Sequence, residues 1–270
     1  MSLQLVSIEV TNRCRKACDF CYNGSAPGRT EAWDPDDLVA FVVDLARHGV
    51  EAVSFGGGEP LEWSAMNDVL ARLDGVLFRS LTTSGLPLLR PGALEGLVTA
   101  APDKVHVSLH YPGRPREVTR VVRQVGALAD AGLRSGVNLL VRASTVAPAT
   151  RAWATLHQAG IGPERIVVLP MRGFDTPTPE QLGQVAGGPR FQSVSCLLGC
   201  GRSPRFCSVG ADRSVAWCSY TRSRRVLADP THAALASALD GLPLAFCGPT
   251  PEALPRPRAD PFPSSDARRS

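Results

Sequence analysis

Three thiols crowd into eight positions of this chain: Cys14, Cys18 and Cys21, in the stretch CRKACDFC, spaced C-x3-C-x2-C. Thiolates in this pattern suit a soft metal or iron–sulfur chemistry. A structural zinc ion usually takes four protein ligands, commonly as two separated C-x2-C pairs, and this loop supplies only three. A 4Fe–4S cluster held at three irons, with the fourth left open, also uses three. Spacing alone leaves both open. Five further cysteines follow: Cys196, Cys200, Cys207 and Cys218 in one group, and Cys247 standing apart.

Thiols on a loop need elements to position them. The β-branched run LVSIEV, ending at Val10, reads as a strand leading into the loop. In DPDDLVAFVVDLARHG, Asp34 is an N-cap, Pro35 the first helical residue and Gly49 a stop. Further strands are expected at 50–55, 77–83, 104–110, 135–142 and 165–170, with helices at 64–75, 91–100, 117–131 and 149–159 between them. Six strand–helix alternations imply an α/β fold with a parallel sheet and right-handed crossovers. Periodicity does not say whether that sheet is open or curled.

Beyond residue 185 the sequence turns rich in glycine, serine and cysteine. RFCSV and SVAWC flank the turn-like GADR, a β-hairpin signature, and a helix is expected at 230–240. The proline- and charge-rich stretch 249–270 reads as a disordered tail. The expected division is therefore 1–185, 186–248 and the tail, with no internal repeat. On the strands, polar residues recur at alternate positions: Ser7, Glu9 and Thr11; His106, Ser108 and His110; Asn138 and Arg142. Such faces suit the lumen of a barrel that holds a polar ligand. His106 and His110 read as core or substrate-contacting residues rather than iron ligands.

Phe20 stands directly before the third cysteine, and GGGEP (56–60) follows the second strand. Together these motifs resemble the radical S-adenosylmethionine (SAM) superfamily, over about residues 5 to 170. The resemblance implies a partial (β/α)6 TIM-like barrel whose cluster chelates the amino and carboxylate groups of SAM at its open iron. It implies reductive cleavage of SAM to a 5′-deoxyadenosyl radical, fed by an external one-electron reductant of flavodoxin or ferredoxin type. By the same resemblance, Gly56, Gly57 and Gly58 let backbone approach the methionine moiety, and Glu59 accepts a hydrogen bond from its ammonium group. Phe20 and Leu169 pack near adenine, Ser108 and the TTSG stretch with Thr83 and Ser84 meet ribose and methionine, and Asn138 and Arg142 join the cofactor-facing set.

The cysteines around the hairpin resemble the auxiliary-cluster extensions, called twitch or SPASM domains, of many such enzymes. The chain departs from the full SPASM pattern in lacking a terminal run of close cysteine pairs, which leaves one auxiliary 4Fe–4S cluster, with a zinc knuckle as the alternative. Two ligand assignments compete. The compact quartet Cys196, Cys200, Cys207 and Cys218 closes no long loop and leaves Cys247 free. Alternatively Cys247 ligates, and Cys196 or Cys207 is spare. A free thiol donates a hydrogen atom to the opposite face of a substrate radical, inverting that centre. An auxiliary cluster that takes an electron from the radical dehydrogenates instead.

With a lone Cys247 the pattern is similar to radical SAM epimerases of aminoglycoside antibiotics, the neomycin type. The expected function is epimerisation of a natural product. A dehydrogenase of amino-sugars or alcohols and a peptide-modifying epimerase or thioether-forming enzyme are the alternatives. An iron–sulfur electron carrier is the non-enzymatic one, and GGGEP and the polar strand faces stand against it.

Composition narrows the setting. The chain has 270 residues, 44% hydrophobic and 20% charged, with a net charge of +4 spread along its length, which does not argue for nucleic acid. No run approaches the ~18 apolar residues of a membrane helix, and no secretion signal is present, so a soluble cytoplasmic protein is expected. The first strand begins within ten residues, which favours a small molecule over a ribosomal peptide as substrate.

Overall fold

The computed structural model describes residues 3–188, Ser203 and 205–244; Cys196, Cys200, Cys247 and the 249–270 stretch lie outside the described residues. The first strand, β1 (Leu5–Thr11), shows how alternation sets two faces. Val6, Ile8 and Val10 are fully buried and join a core with Leu38, Phe41 and Leu45 of the first helix. Ser7 and Glu9 face the other way.

That helix, α1 (Pro35–Arg47), begins as the sequence predicts: Asp34 Oδ1 accepts from the backbone N–H of Asp36 at 2.9 Å and of Asp37 at 3.1 Å. Gly49, past its end, has φ +88°, which only glycine adopts readily. The series continues with β2 (Ala52–Gly57), α2 (Met66–Arg72), β3 (Phe78–Thr83), α3 (Ala93–Ala100), β4 (Lys104–Leu109), α4 (Pro115–Asp130), β5 (Ser135–Val141), α5 (Val146–Gln158) and β6 (Ile166–Pro170). The six strands pair parallel in sequence order. Inner-face residues from β1 through β6 line one cavity, so the sheet curls around it as a partial TIM-like barrel.

Two elements were not anticipated. Helix α6 (Pro179–Ala186) starts at a capping box between Thr178 and Gln181, with proline at its first position. The signals for it lie within TPTPEQ. The short β9 (Arg225–Val226) carries no sequence pattern at all. The expected hairpin forms from β7 (Phe206–Val209) and β8 (Ser214–Ala216), paired antiparallel. Its placement is new information. β7 lies parallel beside β1, with Leu5 opposite Phe206 and Ile8 opposite Val209, so the hairpin and β9 continue the barrel sheet. Helix α7 (His232–Leu239) returns to α1: the His232 ring stacks on His48 at 4.5 Å, and Asp44 Oδ2 accepts from the His232 backbone at 2.7 Å.

One buried cation ties the outer layer together. Arg79 is 2% exposed and donates to the carbonyls of Leu70 (2.6 Å) and Ala101 (2.7 Å), and to Asp74 (2.7 Å) and Asp103 (3.0 Å). Burial pushes the Asp103 carboxyl up, but hydrogen bonds and charge from Arg79 outweigh it, and the net shift is downward. A depressed carboxyl stabilises the fold above its ordinary range and loses that contribution as pH falls through the folded value. Arg79→Met strands two carbonyls and is expected to cost about 3–5 kcal/mol in urea denaturation. An unchanged midpoint would show that the network contributes nothing net.

Candidate functional site

A cavity of about 1080 Å³ occupies the curl of the sheet. Cys14, Cys18 and Cys21 all line it, on the loop that follows β1. The loop's seat is set by backbone. The β1–β2 register shifts between Glu9 and Thr11, a bulge that bends the strand end. From there the amides of Gly58 and Glu59 donate to the carbonyls of Thr11 (2.7 Å) and Arg13 (2.8 Å).

This contact revises the reason for the glycines. A Cβ at Gly57 would overlap the Thr11 carbonyl oxygen, and φ there is +118°. A Cβ at Gly58 would overlap the Arg13 carbonyl. Both residues are therefore demanded by close approach of the thiol loop, not only by a ligand. Of the three glycines of the strip, only Gly56 meets nothing within 4 Å while lining the cavity.

Glu59 also differs from expectation. It is 1% exposed and absent from the cavity wall. One oxygen accepts from Thr83 Oγ1 (2.7 Å) and the Leu61 amide (3.2 Å), and the other from the Ser84 amide (2.7 Å) and hydroxyl (2.5 Å). With two donors on each oxygen it has little capacity left for an ammonium group. Its work is to fasten the glycine strip to the end of β3. Burial pushes its carboxyl up, against the pull of those hydrogen bonds. Thr83 and Ser84 line the cavity, but their hydroxyls are spent on Glu59.

Phe20, Ser108, Asn138 and Leu169 lie in the cavity wall. Arg142 does not; its guanidinium stacks 4.0 Å over Phe20 from behind and sits 3.6 Å from Asp19. Arg142 thus ties the thiol loop to the end of β5. His106 is also outside the wall. Its Nδ1 lies 2.8 Å from Asn138 Oδ1, and burial pushes its pKa down to about 4, as befits a neutral core ring.

His110 lines the cavity, with Nδ1 3.5 Å from Cys18 Sγ. Its backbone amide donates to Glu117 Oε1 at 2.9 Å, and Lys16, within the thiol loop, donates to the same oxygen at 2.7 Å. No sequence signal announces this Lys16–Glu117 pair, since 101 positions separate its members. Burial pushes the Cys18 thiol up to about 11 and raises Cys14 as well. Bound iron would reverse that logic, because a cation deprotonates its thiols.

The far wall is built by β1 and the hairpin. Glu9, 7% exposed, accepts from Tyr22 Oη at 2.9 Å. The Tyr22 ring meets Tyr220 at 4.8 Å. Arg224, held by Ser214 Oγ (3.2 Å) and the Ser219 carbonyl (2.7 Å), brings positive charge to the same region, and Asp212 brings negative. Burial pushes the Glu9 carboxyl up, while hydrogen bonds from Tyr22 and Asn23 and the charge of Arg224 pull it back. Of this group only Glu9 was legible from alternation; the rest depends on the hairpin's docking beside β1.

The cysteines of the second group separate. Cys207 sits on β7 opposite Val6, fully buried in the apolar core, and burial pushes its thiol up to about 12. Cys218 is half-buried, directly before the cavity-lining stretch 219–222. Cys196, Cys200 and Cys247 lie outside the described residues. Among the described residues no three His, Cys, Asp or Glu side chains converge as ligands of a single metal ion. The fit of the first trio to a cluster rests on its donor chemistry and on the cavity that all three thiols share.

A partial barrel whose first strand runs into a three-thiol loop, seated on a glycine strip, defines an iron–sulfur enzyme architecture. The sequence pattern of the Radical SAM superfamily matches residues 8–185, and the chain belongs to that superfamily. Membership implies a 4Fe–4S cluster and SAM. Curated relatives include the probable GTP 3′,8-cyclases of Methanosarcina mazei, 32% identical over 141 residues, and of Methanopyrus kandleri, 34% over 152. The matches cover 47% and 52% of this chain but only 42% and 48% of those relatives. Among solved structures, Streptococcus suis SuiB aligns with a TM-score of 0.63 at 14% identity, covering 81% of this chain and 61% of that one. The enzyme anSMEcpe with bound AdoMet gives 0.63 at 13%, covering 88% and 80%. At such identities the likeness is one of fold. No described helix is long and apolar enough to cross a membrane.

Proposed function

We propose that this chain reductively cleaves SAM at the thiol loop and abstracts a hydrogen atom from a small polar molecule held against Glu9. One observation carries the reading: a single cavity joins the three thiols and Gly56 to the polar wall of Glu9, Tyr22, Tyr220 and Arg224. When bound, the cluster supplies the electron that breaks the SAM C5′–S bond. The chain's own residues do the rest. Gly56 leaves space at the wall, Glu59 fixes the glycine strip, Arg142 holds Phe20 in place, and Glu9 with Tyr22 orients a polar group of the substrate.

The relatives' nucleotide is a poor match for this cavity. Its charged lining sets Glu9, Asp19, Glu31 and Asp212 against Arg29, Arg172, Arg222 and Arg224. A triphosphate calls for a strong surplus of cations, and this balance supports an uncharged or zwitterionic substrate such as an amino-sugar or alcohol.

The fate of the substrate radical turns on Cys207. Burial in a strand that faces away from the cavity counts against its ligating a cluster. The second group then offers Cys196, Cys200, Cys218 and Cys247, the four that one auxiliary cluster needs, and the one thiol left over, Cys207, is buried outside the cavity wall. This supports dehydrogenation: a cluster held by those four thiols would take up one electron from the substrate while a proton passes to solvent, and the product would be two hydrogens lighter. Epimerisation with Cys247 as donor is the second reading, favoured by the compactness of the quartet that includes Cys207.

Two variants separate them. Under dehydrogenation, Cys207→Ser keeps about eight irons per chain and Cys247→Ala drops to about four. Under epimerisation, Cys247→Ala keeps both clusters and SAM cleavage but forms no inverted product, and wild type places one solvent deuteron at the inverted carbon. Normal product from Cys247→Ala would remove that residue from both schemes. Stoichiometric zinc beside only four irons in wild type would replace the auxiliary cluster with a knuckle.

A further inference from the structure

Outside the cavity, one surface combines exposed apolar area with unmatched charge. Leu86 and Leu89 are 36% and 63% exposed, two of the few large apolar side chains left open among the described residues. Leu89 shares a shallow groove of about 500 Å³ with Pro115, Arg116, Thr119, Arg120 and Arg123. Positions 116, 120 and 123 recur at the spacing of one helix face on α4, opposite the buried Val118, Val121 and Val125. The side chains of Arg116 and Arg123 are exposed and make no hydrogen bond or ion pair among the described residues. No carboxylate lines the groove.

The groove lies beside the thiol loop. Glu117, next to Arg116 in the chain, accepts from Lys16 and from the His110 amide, and the His110 ring lies 3.5 Å from Cys18 Sγ. A short run of contacts thus leads from the edge of the groove to a thiol of the site. A small apolar floor with a basic rim suits a brief encounter with an acidic protein, fast to form and weak to hold.

We propose that this groove docks an acidic one-electron carrier protein. The inference rests on the SAM-cleaving reading above, since only that chemistry needs the electron. The carrier is oxidised by one electron, the cluster at Cys14, Cys18 and Cys21 is reduced by one, and no bond changes hands at the interface. Charge-led docking makes the encounter rate fall with ionic strength.

The test uses the holoprotein with the double variant Arg116→Glu, Arg123→Glu. Formation of 5′-deoxyadenosine is driven either by dithionite or by an acidic flavodoxin with its reductase. The dithionite rate should match wild type, while the flavodoxin rate at low ionic strength should fall roughly ten-fold and lose its salt dependence. Leu89→Ala should give a smaller loss with flavodoxin alone. An unchanged flavodoxin rate, or equal losses with both reductants, overturns the docking site. Wild type that fails to cleave SAM even with dithionite sinks the proposed function instead. In that case titration of the labelled flavodoxin against wild type and variant still decides the surface, and equal affinities, or binding of duplex nucleic acid in its place, reject it.

Discussion

Replacing Cys14, Cys18 and Cys21 together by alanine is expected to abolish 5′-deoxyadenosine formation and to remove about four irons per chain. The fold should survive. The loop is held by backbone bonds that need no thiol, including Cys14 N–H to the Ala26 carbonyl (3.2 Å) and Asn12 N–H to the Glu31 carbonyl (3.1 Å). Far-UV circular dichroism should therefore match wild type, so that loss of activity reports loss of ligands. The remaining iron would belong to the second cysteine group. Residual 5′-deoxyadenosine from the triple variant would overturn the assignment of the loop.

Gly58→Ala should be almost as damaging, by a different route. The added methyl has nowhere to go except into the Arg13 carbonyl, one residue ahead of Cys14, so the loop must shift. Displacement by about 1 Å at a reacting centre costs on the order of a hundred-fold in rate. Gly56→Ala is the contrasting experiment, because its methyl enters open cavity. That variant should fold and load iron normally yet bind SAM more weakly, if backbone there meets the cofactor. Equal SAM affinity in Gly56→Ala would remove that glycine from the site, and full activity in Gly58→Ala would show that the loop tolerates the shift.

The sequence was informative wherever a signal is local. Asp34, Pro35 and Gly49 bracket α1 because capping is decided within one turn. Alternation correctly placed Ser7, Glu9, Ser108 and Asn138 on the inner face, because the strand period is fixed by geometry. It failed where a side chain finds a partner across the fold. Nothing within GGGEP announces that Glu59 will meet Thr83 and Ser84, 24 and 25 positions away. Arg142 shares the parity of Asn138 but lies one residue beyond the end of β5, where strand period no longer governs direction. Cys207 belongs to the second cysteine group by spacing, but its burial opposite Val6 comes from a strand pairing that no local signal encodes. A period specifies a face and never the neighbour.

The pairing of β1 with β7 also sets the order in which the molecule can be finished. β1 is an interior strand, yet one of its edges meets β2 early in the chain and the other waits for Phe206–Val209. During synthesis at ~5–20 residues per second, β1 spends on the order of ten seconds or more with that edge unpaired. An open edge is a template for pairing with other chains, and contacts this distant in sequence are slow to form. A strand made about 200 residues before its partner β7 is thus enclosed late, and nascent-chain protection falls on the segment that carries the thiol loop.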